Sequence, residues 1–167
     1  MLSASLSGGP PSAPFKGLGN YPILAIDAAS IYVASQGQIL SIGKATGISA
    51  PLAQGTWDIR SIVVDDKTVY FPDVDAPHVS KPGQMLSVAK GGGSVTVLAA
   101  MNNVGNQIAT DGRYVYFVAG NTVQRVPSTG GPTETLASSG ASPYALATDG
   151  VYVYFANANA IFRVRSP

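Results

Sequence analysis

The chain has 167 residues, 11% of them charged, a formal net charge of +1 and no cysteine. That length supports one domain with a core of its own. The scattered Lys and Arg give no phosphate-tracking surface, and the missing thiols remove disulfides, thiolate metal sites and a cysteine nucleophile. Nucleic acid is therefore not an expected partner. No apolar run approaches the roughly 18 residues that would span a bilayer, so no membrane partner is expected either.

In chain order, the opening "MLSASLSGGPPSAPF" carries Ser, Gly and Pro without a basic start or an apolar run. Strands are predicted near 23–27, 30–35, 38–43 and 50–53, from apolar, β-branched and aromatic runs separated by turn residues. The pattern then returns. "AIDAASIYVAS" from Ala25, "VVDDKTVYFPD" from Val63, "ATDGRYVYFVA" from Ala109 and "ATDGVYVYFAN" from Ala147 align on Asp27, Asp65, Asp111 and Asp149, each with a tyrosine five residues on: Tyr32, Tyr70, Tyr116 and Tyr154. A second block follows each tyrosine, at Ile39, Met85, Val123 and Ile161, and a short apolar piece ("APLA", "TVLA", "ETLA") closes the first three units. The tyrosine-to-block spacing is 7 residues, except for 15 in the second unit, which places an 8-residue insertion between Tyr70 and Met85.

A period of about 38 residues holding four short strands and no amphipathic helix is the pattern of β-propeller blades. The predicted fold is all-β, with four repeats starting near 22, 60, 106 and 144 in a single domain over 1–167. The opening stretch overlays "VQRVPSTGGPTETLA" with both glycines and the next proline in register, so residues 1–15 read as a half-blade of third and fourth strand. Its segment Ser12–Phe15 is expected to complete the last blade, within one chain or between two copies in a homo-oligomer. Leu24, Ile62, Ile108 and Leu146 are expected to be buried between blades. The tyrosines read as repeated interblade packing and the aspartates as turn-stabilising acceptors.

The "D-G-x-x-V-Y-F" and "V-x-x-V-P-x-x-G-G" repeats resemble the NHL and YVTN-type propellers and, more loosely, the virginiamycin B lyase-like group. The resemblance covers nearly the whole chain. It implies the fold, while propellers at large host enzymes, binders and scaffolds, so function rests on the residues of a site.

No nucleophile elbow, P-loop or paired-histidine signature is present, and no catalytic residue, metal site or cofactor is assigned. The single histidine lies in "DVDAPHVSKPG", where Asp73, Asp75 and His78 have a weak metal-ligand spacing, and a solvated polar loop is the preferred reading. In a propeller, the connection into a blade and that blade's second-to-third-strand loop emerge on one face. For the second blade these are "QGTWDIRS" from Gln54 and the insertion. Trp57, Asp58 and Arg60 are thus expected beside Asp73, Asp75, His78 and Lys81, as a site for a protein, peptide or small carbohydrate. A tryptophan that only caps the blade junction is the other reading. The leading function is a non-catalytic binding or interaction propeller; a metal-assisted lyase or hydrolase using His78, or a structural fragment of a longer propeller, are the alternatives.

Overall fold

A computed structural model describes residues 22–74, 82–101 and 104–166. Fifteen strands are found among them, with no helix. The first blade is the sheet β1 (Ile23–Ile26), β2 (Ser30–Ser35), β3 (Gln38–Gly43) and β4 (Ser49–Gln54). The second is β5 (Val63–Val64), β6 (Thr68–Asp73), β7 (Gly83–Ala89) and β8 (Thr96–Met101). The third is β9 (Val104–Thr110), β10 (Tyr114–Ala119), β11 (Thr122–Pro127) and β12 (Glu134–Ser138). The last sheet has three strands, β13 (Ala145–Thr148), β14 (Tyr152–Ala156) and β15 (Ile161–Arg165). Every pairing is antiparallel between neighbours in sequence, as short turns require. The first-blade strands lie within a residue of their predicted positions.

The V-Y-F pattern explains the stacking of these sheets. Alternate side chains of a strand point to opposite faces. Val and Phe of β6, β10 and β14 therefore face the preceding blade, while the tyrosine between them in β6 and β10 faces the following one. Three cores result. Tyr32, Ile39 and Leu52 of the first blade pack on Val69, Phe71, Leu86 and Val88 of the second. Tyr70, Met85 and Leu98 pack on Val115, Phe117 and Val126. Tyr116 and Val123 pack on Val153 and Phe155. At Ile39, Met85 and Val123 the pairing with the fourth strand slips by one residue, a bulge recurring at one repeat position. Such a bulge bends and twists the strand that carries it.

The expectation for the inner strands needs one correction. Ile62 and Ile108 are buried, but Leu146 is only half-buried and Leu24 is 43% exposed. Leu24 lies on the face of the first blade turned away from the second, and no described blade covers it. The inner strands of all four sheets line an open trough of about 360 Å³, to which Leu24, Ile26, Val64, Ile108 and Leu146 contribute. The half-blade expected over residues 1–15 lies outside the described residues.

Candidate functional site

The connection from β4 to β5 is held by an unusually close backbone approach. Gln36 and Gly37 turn β2 into β3 with φ of 52° and 74°. The Gly37 carbonyl accepts from Gly55 N–H at 2.9 Å. A Cβ at Gly37 would lie 2.1 Å from the Gly55 oxygen, so this turn admits only glycine. Gly55 in turn makes room for Trp57, since its own Cβ would fall 2.7 Å from the indole ring. The indole is half-buried and tilted onto Phe71, with centroids 5.2 Å apart. Much of its area thus closes the junction between the first and second blades.

Next to the indole, the connection is tied to the end of β6. Asp58 N–H donates to Asp73 Oδ1 at 2.9 Å, and Val74 N–H donates back to the Asp58 carbonyl at 3.0 Å. Asp73 ends β6 where the second-to-third-strand connection begins, so Asp58 and Asp73, two of the residues named from the sequence, lie together. The Asp58 carboxylate accepts from Arg60 Nη2 at 2.9 Å and from Nε at 3.2 Å, a forked pair in which both side chains keep water access. This hydrogen bond and the adjacent negative charge raise the Arg60 pKa. Asp75, His78 and Lys81 lie outside the described residues. Among those described, no three His, Cys, Asp or Glu side chains are placed to hold a metal ion. On the same face Asn157 is buried and turned inward. Its Nδ2 donates to the Ser139 carbonyl, and its Oδ1 accepts from the N–H groups of Asn159 and Ala160.

The opposite face carries a device that repeats in every blade. One carboxylate oxygen of Asp27, Asp65, Asp111 and Asp149 accepts from the N–H groups two and three residues ahead, at 2.7–2.9 Å. The other oxygen accepts from the hydroxyl of Tyr32, Tyr70, Tyr116 or Tyr154, also at 2.7–2.9 Å. The aspartates therefore cap their turns as expected, and Tyr32, Tyr70 and Tyr116 pack between blades, whereas Tyr154, in the last sheet, has no described blade to pack against; the repeat pattern does not by itself show the bond that joins each pair. A recurring Asp-to-Tyr spacing of five residues was the available signal.

The charges of these pairs respond to their surroundings. The Lys90 ammonium, 2.6 Å from Asp27, together with the Ser30, Tyr32 and Ala29 donors, holds that carboxyl far below the usual carboxylate range despite partial burial. Burial alone would raise Asp111, yet the Tyr116 hydroxyl and the Tyr114 and Arg113 amides outweigh it and lower its pKa. The Tyr152 and Val151 amides lower Asp149. Tyr70 and Tyr116 are pushed up to about 12, first by burial and then by the aspartate each faces. An open pocket of about 350 Å³ lies here between the first two blades, lined by Asp27, Asp65, Asp66 and Lys90 among others.

No family model matches this sequence, and no curated protein matches it. Solved structures do match by shape. The chain superposes on a chain of a nidogen/laminin complex with a TM-score of 0.78 at 18% identity, over 98% of its own length and 66% of that chain. A computationally designed protein, Ika4, gives 0.66 at 12% identity over 92% and 99%. A putative TolB from Agrobacterium tumefaciens gives 0.65 at 16% identity over 86% and 57%. The chain thus spans two thirds or less of the two natural chains. With these likenesses added to the four antiparallel sheets and their interleaved cores, the fold is that of a β-propeller.

Proposed function

We propose that this chain is a non-catalytic binding propeller of the NHL-like kind, which recognises a protein or peptide on the face formed by Trp57, Asp58, Arg60 and Asp73. The observation that carries this reading is the pair of hydrogen bonds between Asp58 and the Asp73–Val74 segment. They fix the single tryptophan, a forked ion pair and a second carboxylate in one place. Tryptophan and arginine are residue types enriched at interface hot spots, and here the Asp58 carboxylate already orders the Arg60 guanidinium. Here Asp58 is engaged by arginine and Asp73 by a backbone amide, an arrangement suited to holding a partner rather than to exchanging protons with one. The nidogen chain is by its description part of a complex with laminin, whereas another structure of similar shape is described as a gluconolactonase. Shape alone does not choose between them.

The test is selection of peptides from a displayed library on the immobilised 167-residue chain, followed by titration against Arg60→Ala and Trp57→Phe. Binders weakened roughly 10-fold or more by these changes support the reading. Binders indifferent to both would overturn it. So would a divalent-metal-dependent hydrolysis or elimination activity abolished by His78→Ala.

A further inference from the structure

The four Asp–Tyr pairs are alike in sequence but not in surroundings. The residue after each third strand, Lys44, Lys90, Ser128 or Ser166, is fixed by one recurring backbone bond. Its N–H donates to the turn carbonyl of Ala29, Lys67, Arg113 or Val151 in its own blade. From that position the side chain reaches the preceding blade. Lys90 contacts Asp27 at 2.6 Å and lies 5.3 Å over the Tyr32 ring. The Ser128 side chain partly offsets the rise in the Tyr70 pKa, and Ser166 Oγ meets the Tyr116 hydroxyl at 2.5 Å. Each of the three interfaces thus has its bridge, and two parts are left over. Among the described residues, the Asp149–Tyr154 pair receives no bridge from another blade. Lys44 is exposed and turns its ammonium to the Asp27 carbonyl of its own blade.

The apolar contacts repeat this inequality. Ile39, Met85 and Val123 are fully buried against the next blade, whereas Ile161, their equivalent, is 80% exposed. Val151, in the turn before β14, is also exposed, and at the other end of the arc Leu24 and Ile26 are too. β1 packs against β5, and β13 against β9, but no comparable packing joins β1 to β13. The first blade therefore does not cover the last. Among the described residues β15 is moreover the edge of a three-stranded sheet, and an unpaired edge offers a row of free backbone groups to an incoming chain.

We propose that a second copy of this chain covers this face. Ile161 and the Asp149–Tyr154 pair of one copy meet the first-blade end of the other, whose Lys44 takes Asp149 as Lys90 takes Asp27. The face is made of the same residue types that form the three interfaces within the chain, and the unbridged carboxylate on one end matches the unbridged ammonium on the other. Such a contact is heterologous, and two of them related by a two-fold axis close a ring from two arcs. The proposal is independent of the Trp57 face.

Sedimentation velocity and native mass spectrometry of the 167-residue chain over roughly 1–100 μM test it. The expected mass is about 34 kDa, twice 17.1 kDa. Ile161→Asp should weaken association at least ~100-fold and Lys44→Glu at least ~10-fold, given that a desolvated charge at an interface core is far costlier than a lost rim pair. Each variant spoils one end only, so mixing the two should recover a heterodimer through the remaining intact contact. Circular dichroism checks folding, and Lys44→Glu, at an exposed position, carries the test if Ile161→Asp fails to fold. A monomeric wild-type chain across the range, a dimer unaffected by Lys44→Glu, or a mixture that gives no heterodimer would each overturn the proposal.

Discussion

Tyr116→Phe isolates what the Asp–Tyr pair contributes. The ring is fully buried, so the phenylalanine keeps the packing against Val153 and Phe155 and loses only the hydroxyl. That hydroxyl donates to Asp111 Oδ2 at 2.7 Å and meets Ser166 Oγ at 2.5 Å. A hydrogen bond to a charged acceptor is worth about 1.5–3 kcal/mol. The Ser166 contact adds to it, while two backbone amides continue to hold the other carboxylate oxygen. The expected loss is about 2–3 kcal/mol, read as a lower urea midpoint at unchanged slope. Tyr144→Phe is the control, because that exposed side chain donates to a neutral carbonyl of Asn157 at 2.9 Å and should cost under ~1 kcal/mol. The same variant has a pH signature. Tyr116 is raised to about 12 in the fold from an ordinary 10.0, so the native state holds this proton more tightly than the unfolded chain. The associated stability is complete below about pH 10 and lost as pH rises toward 12, and Tyr116→Phe should flatten that limb. A variant within ~0.5 kcal/mol of wild type, or no worse than Tyr144→Phe, would refute the account.

Two further predictions follow from single contacts. Gly37→Ala places a Cβ 2.1 Å from the Gly55 oxygen at a φ of 74° and should lower stability by at least ~2 kcal/mol in thermal or urea melts. Lys90→Met removes the chief cause of the low Asp27 pKa. A carboxyl depressed in the fold contributes stability above its unfolded value of 3.8 and loses it as pH falls below about 4, so the variant should show a shallower acid limb in melting temperature between pH 5 and 2.

The sequence made the blades legible because each encodes its stacking locally. A V-Y-F triplet sends Val and Phe one way and Tyr the other whatever lies further off, and the turn aspartate sits at a fixed distance from it. The interblade bridges were less visible. Lys90 and Ser166 occupy one repeat position, yet as residue types they share only the ability to donate a hydrogen bond, and their partners lie in a different blade. Leu24 departs from the expectation for a related reason: its apolar character marks a strand, but its burial depends on whether a blade lies on its outer side. Trp57 admits two readings from sequence because the β4–β5 connection has no periodicity. Its course is set by the Gly37–Gly55 contact, which nothing in the local spacing announces.

The two faces differ in how freely their charges can be reassigned, and this bears on where binding belongs. On the turn face, each aspartate carboxylate has one oxygen in backbone bonds and the other on a tyrosine hydroxyl, so drawing it toward a ligand would open a turn and, at Asp27, Asp65 and Asp111, disturb a blade interface as well. The Asp58–Arg60 pair is different. Its partners are two residues apart, both retain water access, and the connection is held by the Asp58 main chain rather than by its carboxylate. A surface pair of this kind contributes little to stability, typically under ~1 kcal/mol. Arg60 can therefore exchange Asp58 for a carboxylate on a partner without disturbing the blade. Arg60→Ala should accordingly leave the urea midpoint close to that of wild type while weakening the selected binders. A loss of stability matching the loss of binding would mean that the pair belongs to the fold, and that recognition lies elsewhere on the propeller.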